Sequence, residues 1–324
     1  MMQFAESTLA VLGEVRTALL PESAALSRDS AAELVAVAHG MPVRSRERPV
    51  SWAQSPVVAE GVDCRLAVPS TRRVRAVGAV AAQATVTGGR IVQTAAHCAV
   101  VGAQSSRRQP WVHYMGRVGV LDVLTQITPE LGKDVAQGFV AVGDPANASF
   151  DPGAIAARMA TKLRRAPTLN QRPPMYSDTT RLRWSARVLA GVEPLLTMTM
   201  RDRELRTVEI VVGDGAQLAD VQAFCHDLAM HDWLLTALIE VTDEAAEMFE
   251  LSDSPVEQVL SPMLEHLVHL WMPGAATPAS MQGMWAALET DPGFTRQWQA
   301  RVGQMRDRLA VATLTALNRT SSDW

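Results

Sequence analysis

Residues 74–86, VRAVGAVAAQATV, and 90–101, RIVQTAAHCAVV, flank a Thr-Gly-Gly at 87–89. Both runs are dense in Val, Ala and Thr, whose side chains suit a pleated, half-buried surface. The paired glycines supply the positive φ that a tight hairpin turn demands. The stretch predicts a β-hairpin over 74–101, which commits the first half of the chain to β structure.

The rest of that half mixes element types. TLAVLGEVRTALL, 8–20, suits a buried strand or a short helix. SRDSAAELVAVAHG, 27–40, reads as a helix with Ser27 or Asp29 as cap and Gly40 as stop. Residues 44–66 carry Pro49, Pro56 and Gly61 and read as loop with short extended pieces. A helix is predicted over 128–142, with Thr128 as cap and Pro129 in the first turn. Another is predicted over 151–165, with Asp151 as cap and Pro152 first. A Pro-rich linker at 167–178 leads to a predicted β-meander over 179–212, with RDRE, 201–204, as a polar turn.

Beyond GDGAQ, 213–217, the apolar period becomes helical. Leu218, Val221, Phe224, Cys225 and Leu228 share one face. Val256, Val259, Leu260, Met263, Leu264, Leu267 and Trp271 form a second stripe, opened by Ser254-Pro255. Two more helices follow, the last after Asp291-Pro292. Charge divides at the same place: residues 1–212 hold 25 Lys+Arg and 18 Asp+Glu, residues 213–324 hold 5 and 16. The sequence thus predicts an α+β chain. Residues 1–213 form a mixed region with a hairpin and a meander, and residues 214–324 an acidic, all-helical bundle. The opposed charges read as mutual attraction within the chain. The arginines are scattered and not interleaved with stacking aromatics, which argues against nucleic acid.

Composition narrows the class. Hydrophobic residues make up 48% and charged residues 20%, as expected of a chain that buries a sizeable core. No run approaches the roughly 18 apolar residues needed to cross a bilayer. The N-terminal segment lacks a basic start and is interrupted by Glu6 and Glu14, so it reads as a poor secretory signal. Three cysteines, Cys64, Cys98 and Cys225, make no disulfide framework and fit a reducing cytoplasm.

One short string invites a specific chemistry. Thr94-Ala95-Ala96-His97-Cys98 resembles the histidine motif of trypsin-like serine proteases. That mechanism needs a nucleophilic serine, an orienting acid and an oxyanion hole. No serine here has Gly-Asp-Ser-Gly-Gly neighbours, position 82 is alanine where the family places a cysteine, and a second barrel is replaced by helices. Asp122, the nearest acid by sequence logic, has nothing beside it to support the role. The protease reading is rejected, and His97 reads as a residue of the second hairpin strand.

Other constellations fare similarly. Asp227 with His231, and Glu265 with His269, are i,i+4 pairs on two helices and invite a metal. Neither helix has the Glu-x-x-His of di-iron bundles. Glu265 and His269 fall opposite their apolar stripe, His266 on its rim, and Asp227 and His231 at the edge of theirs. No metal and no cofactor is expected. Neither lysine, Lys133 or Lys162, sits in a phosphate-cradling context, and no glycine-rich strand-to-helix turn is present. QPWVHYMG gathers Trp111, His113 and Tyr114 and reads as a buried turn in preference to a binding surface.

Taken together, VLGEVRTALL, GVDCRL, RRQPWVHYMGRVGVLDV, TRLRW, LAMHDWLLT, LVHLWMP and RQWQARV resemble a family of actinobacterial conserved hypothetical proteins. The resemblance runs over nearly the full length. It implies a GC-rich host, which agrees with 28 of the 30 basic residues being arginine. It also implies a small gene cluster that includes a methyltransferase-like gene. It supplies no catalytic residue. The expectation is a cytoplasmic accessory or interaction protein with a protein partner, among them the products of neighbouring genes, and with no membrane or nucleic-acid role. The alternative is an enzyme or small-ligand protein with a site between the two regions, near His226, His231 and Trp111. Oligomeric state is left open.

Overall fold

The structure, a computed structural model, describes residues 8–69, 73–105, 107–141, 149–250 and 256–322. Its centre is a ten-stranded sheet. The strands are β1 (Thr8–Leu19), β2 (Arg44–Arg46), β3 (Trp52–Gln54), β4 (Val58–Leu66), β5 (Val74–Thr87), β6 (Ile91–Gly102), β7 (Val120–Val123), β8 (Thr180–Val188), β9 (Leu195–Met200) and β10 (Leu205–Val212). The helices are α1 (Arg28–Leu34), α2 (Trp111–Met115), α3 (Leu131–Ala141), α4 (Pro152–Arg164), α5 (Leu218–Glu250), α6 (Val256–His266), α7 (Gln282–Thr290) and α8 (Phe294–Ser322). The chain is α+β, and no helix among the described residues is long and apolar enough to cross a membrane.

The predicted hairpin is β5–β6, closed by Gly88 at φ 60° and Gly89 at φ 64°, the positive pair of a type I′ turn. Gly89 also lets Leu26 approach: a Cβ there would lie 2.3 Å from the Leu26 carbonyl oxygen. The two strands pair from the turn to Ala81 and His97. Beyond that they part, and β7 enters between them, antiparallel to β5 and parallel to β6. On the other side of β6 lies β1, then β8.

The predicted meander is corrected. Strand β10 lies between β8 and β9, parallel to β8 and antiparallel to β9. Burial explains the order. The β10 side chains are mostly buried, so the strand takes an internal slot, whereas β9 leaves Leu195 and Met200 exposed and takes the edge. The RDRE turn is as expected, with the Asp202 carboxylate accepting from the amides of Glu204 and Leu205. Residues 44–66, read as loop with short extended pieces, hold the short β2 and β3, while their last part is longer than expected and forms the nine-residue β4 along β5. The first helix stops at Leu34, well short of Gly40, with Ser27 as its cap. The helix predicted over 128–142 begins at Leu131; residue 142 and the Ser254-Pro255 opening lie outside the described residues.

Helices cover both faces of the sheet. On one face, α3 and α4 pack over β1, β6 and β8. On the other, the 33-residue α5 crosses the same strands and carries α6 and α8 on its outer side. Sheet residues such as Val15, Trp184 and Val208 and helix residues such as Phe224, Trp233 and Met305 belong to one hydrophobic cluster.

The α4 face buries a charge cluster. Glu14 of β1 is fully buried and sits opposite Arg183 of β8. Its Oε2 lies 3.0 Å from Arg183 Nε and 2.9 Å from Nη2, and its Oε1 lies 3.3 Å from Arg181 Nε and 3.4 Å from Arg16 Nε. The first turn of α4 closes over the carboxylate, and only glycine fits there: a Cβ on Gly153 would lie 2.3 Å from Glu14 Oε1. Asp151, predicted to cap α4, makes no capping hydrogen bond; its Oδ1 lies 3.7 Å from Arg183 Nη2. The cluster draws that carboxylate away from the helix amides. Truncating one member of such a group strands the others in a dry layer. Glu14→Ala is therefore expected to lower the unfolding free energy by about 3–5 kcal/mol in a denaturant titration. A loss under about 1 kcal/mol, the range of an exposed ion pair, contradicts the description.

Candidate functional site

The α5 face carries an unusual row of polar side chains. Register places Arg44, Gln54, Thr85, Gln93, Thr17 and Thr180 side by side across β2, β3, β5, β6, β1 and β8. Two neighbouring pairs in the row are hydrogen-bonded. Gln54 Nε2 donates to Thr85 Oγ1 at 3.4 Å, and Gln93 Nε2 donates to Thr17 Oγ1 at 3.2 Å and to the His226 carbonyl at 2.9 Å. Two residues along β5, Gln83 Nε2 donates to the Ser55 carbonyl at 2.9 Å. His97 of β6 lies on the same face, opposite Ala81 and Gly13.

The row forms the floor of a cleft under the first turns of α5. Ala219, Gln222, Ala223 and His226 make one wall at helical spacing, and the two alanines leave room beside the floor. The cleft has two chambers that share Gln54, Gln83, Ala219 and Gln222. One, of about 370 Å³, reaches Gln93, His226 and the 272–276 loop. The other, of about 580 Å³, reaches His97 and Ser55. Each falls within the size range of small-molecule sites.

Both histidines are held neutral. Burial pushes His97 down to about 4, and burial, partly offset by Asp227, pushes His226 down to about 4. His97 is 6% exposed, and its Nδ1 has no hydrogen-bond partner among the described residues. This closes the protease question structurally. A catalytic histidine needs an acid on that nitrogen. Asp122 instead accepts two hydrogen bonds from Arg117 Nη1, at 3.0 and 2.9 Å, with His113 Nε2 at 3.5 Å. Thr94 of the same motif points to the opposite face, donating to the Ala156 carbonyl. Ser55 is engaged at both ends, donating to the Pro56 carbonyl and accepting from the Ala84 amide.

Asp227 and His231 are buried, which corrects their placement at the edge of a stripe. His231 Nδ1 lies 2.8 Å from the Asp227 carbonyl, and Nε2 accepts from the Met272 amide at 3.2 Å. Asp227 Oδ2 accepts from Thr277 Oγ1 at 2.7 Å and Trp285 Nε1 at 3.2 Å. With Trp271 and Trp285 edge-on to its ring, His231 is a packing pin whose two nitrogens are both in use. Glu265 and His269 are exposed elsewhere. Among the described residues, no three His, Cys, Asp or Glu side chains are grouped to hold a metal ion.

Of the residues named for an alternative site, only His226 reaches the cleft. Trp111 lies on α2, against Gly61 of β4. The QPWVHYMG turn is only partly buried: Tyr114 is inside, while Trp111, Val112 and Met115 are exposed. The floor glutamines escaped sequence reasoning. Their one signal was polar side chains on one face of each strand, at 83 and 85 in one run and at 93 and 97, four apart, in the other.

The histidines set a pH dependence. An imidazole whose folded pKa lies below its ordinary 6.5 contributes stability that is present above 6.5 and lost as pH falls toward 4. Asp232, raised to about 6 from 3.8 by burial, acts in the opposite sense, its contribution being lost as pH rises through 6. Each histidine contributes up to roughly 1.4 kcal/mol per pH unit. The half-buried Glu240, whose carboxyl is also raised by burial, acts with Asp232 against them, so unfolding free energy should fall between pH 6.5 and 4 by less than the two histidines alone would give. His97→Gln with His226→Gln should abolish or invert that slope in urea titrations. An unchanged slope in the double variant contradicts the assignment.

No protein-family model, no curated protein and no solved structure matches this chain.

Proposed function

We propose that this chain binds a small organic ligand in the cleft between the sheet and α5. The observation that carries the reading is the floor itself. A sheet face packed on a helix is normally apolar, because a buried amide or imidazole without full partners costs about 1–3 kcal/mol. Here Gln54, Gln83, Gln93 and His97 stand on such a face and border open space. Their carbonyls, amides and ring nitrogens recognise hydrogen-bonding groups, and the apolar walls supply burial. Among the described residues the serine at the cleft is Ser55, and it is engaged by Pro56 and Ala84 and hydrogen-bonded to no base, so the reading is a binding protein, cytoplasmic, in which occupancy is the signal.

A second reading keeps the accessory role, with a protein partner supplied by neighbouring genes. Trp111 at 40% exposure, Val112 at 80% and Met115 at 41% favour it, as an apolar face on α2.

The test is native mass spectrometry of the full chain after incubation with a low-molecular-weight extract of bacterial cells. One adduct per chain is expected, lost in Gln83→Leu while the thermal melt is retained. A folded chain that takes up nothing contradicts the ligand reading. A Trp111→Ala, Val112→Ser variant that retains the adduct but no longer pulls down a stoichiometric partner seen with the unaltered chain favours the second.

A further inference from the structure

Resting on the binding reading above, we propose that the ligand is an organic anion. Arg44 and Arg46 grip its carboxylate or phosphate at the mouth of the cleft, and its uncharged body lies over the glutamine floor. Strand β2 is three residues long, and its alternation puts Arg44 and Arg46 on one face and Ser45 on the other. Arg44 stands at the outer end of the polar row and borders the chamber that holds His97. Arg46 borders the chamber that holds His226. The two guanidinium groups therefore overlook both halves of the cleft from a single strand.

Both are exposed, and neither guanidinium group has an ion-pair or hydrogen-bond partner among the described residues. Some surface arginines hold a carboxylate, as Arg28, Arg75 and Arg158 do on Glu47, Asp63 and Glu60. What sets Arg44 and Arg46 apart from other exposed arginines without a side-chain partner, such as Arg48 and Arg65, is that they border the cleft. The acids of the cleft do not claim them. Asp220 accepts from Ser280 Oγ at 2.5 Å, and Asp227 Oδ2 is taken by Thr277 and Trp285. Two unclaimed guanidinium forks suit the oxygens of a carboxylate or phosphate, which they bind in a bidentate manner. Inward of the arginines no positive charge remains to hold a second anionic group. Gln54, Gln83 and Gln93 are uncharged, and His97 is nine-tenths buried with Nδ1 unpartnered. The arrangement fits one charge at the mouth and a neutral, hydrogen-bonding body inside.

The experiment is isothermal titration of the full chain with probe pairs that differ in charge: nicotinate against nicotinamide, benzoate against benzamide, and adenosine monophosphate against adenosine. At least one anionic member should bind roughly tenfold tighter than its neutral partner, about 1.4 kcal/mol. The Arg44→Gln, Arg46→Gln variant should remove that difference with its melting temperature unchanged, since both side chains are exposed. Which pair responds separates carboxylate from phosphate. Neutral members that bind as well as the anionic ones, and lose binding in Gln83→Leu, overturn this inference while the ligand reading stands. An anion preference that survives both arginine replacements also overturns it. Failure of every probe to bind overturns the inference together with the reading it rests on.

Discussion

Covering a ten-stranded sheet with helices on both faces removes water from nearly every side chain between Thr8 and Val212 that points off its central strands. Any polar group there must find a partner in the protein or stand beside a cavity. The two faces meet this constraint in different ways. Toward α4, Glu14 is surrounded by Arg16, Arg181 and Arg183, and Gly153 lets the helix close over it without a gap. There the buried carboxylate is held by side chains of the protein itself, and the two partly exposed arginines, Arg16 and Arg181, keep contact with water. Toward α5, the Gln54–Thr85–Gln93–Thr17 row is only partly satisfied from within, and Ala219 and Ala223 on α5 leave space beside it.

The contrast separates structural polarity from polarity held for something else. Glu14 is held by Arg16, Arg181 and Arg183, and Asp227 through one oxygen, Oδ2, by Thr277 and Trp285, its Oδ1 having no hydrogen bond. His97 is not held in this way: its ring borders the cleft and its Nδ1 is unpartnered. A binding site whose floor is pre-positioned by strand register loses little freedom when occupied, because the glutamines are already tethered to Thr85, Ser55 and Thr17. With both cleft histidines neutral near pH 7, the floor presents hydrogen-bonding groups without charge.

Much of this was legible in the sequence. The Gly88-Gly89 turn and its flanking Val/Ala runs announced the hairpin because both local requirements, positive φ and β-forming side chains, coincide. The helices after residue 214 followed from their 3.6-residue period. The β8–β10–β9 order was not legible. A polar turn at 201–204 fixes the antiparallel β9–β10 pair but says nothing of which strand lies inside, a choice made by burial against α5. Nor was the cleft. Gln83 and Gln93 are ordinary strand residues until cross-strand register sets Thr85 beside Gln93 and Gln54. Asp227 and His231 looked like potential ligands because spacing alone does not reveal that the Met272 amide, Thr277 and Trp285 already occupy them.

The account's central claim is that the polar floor is kept at a cost to stability and serves a ligand in place of the fold. The most direct measurement is the guanidinium unfolding midpoint of His97→Met at pH 7, with the ligand-free chain as reference. An unpartnered buried imidazole nitrogen costs about 1–3 kcal/mol, so replacing the ring with an apolar side chain should raise the midpoint. A midpoint that falls would mean that His97 supports the fold, and that the cleft is a packing defect and not a site.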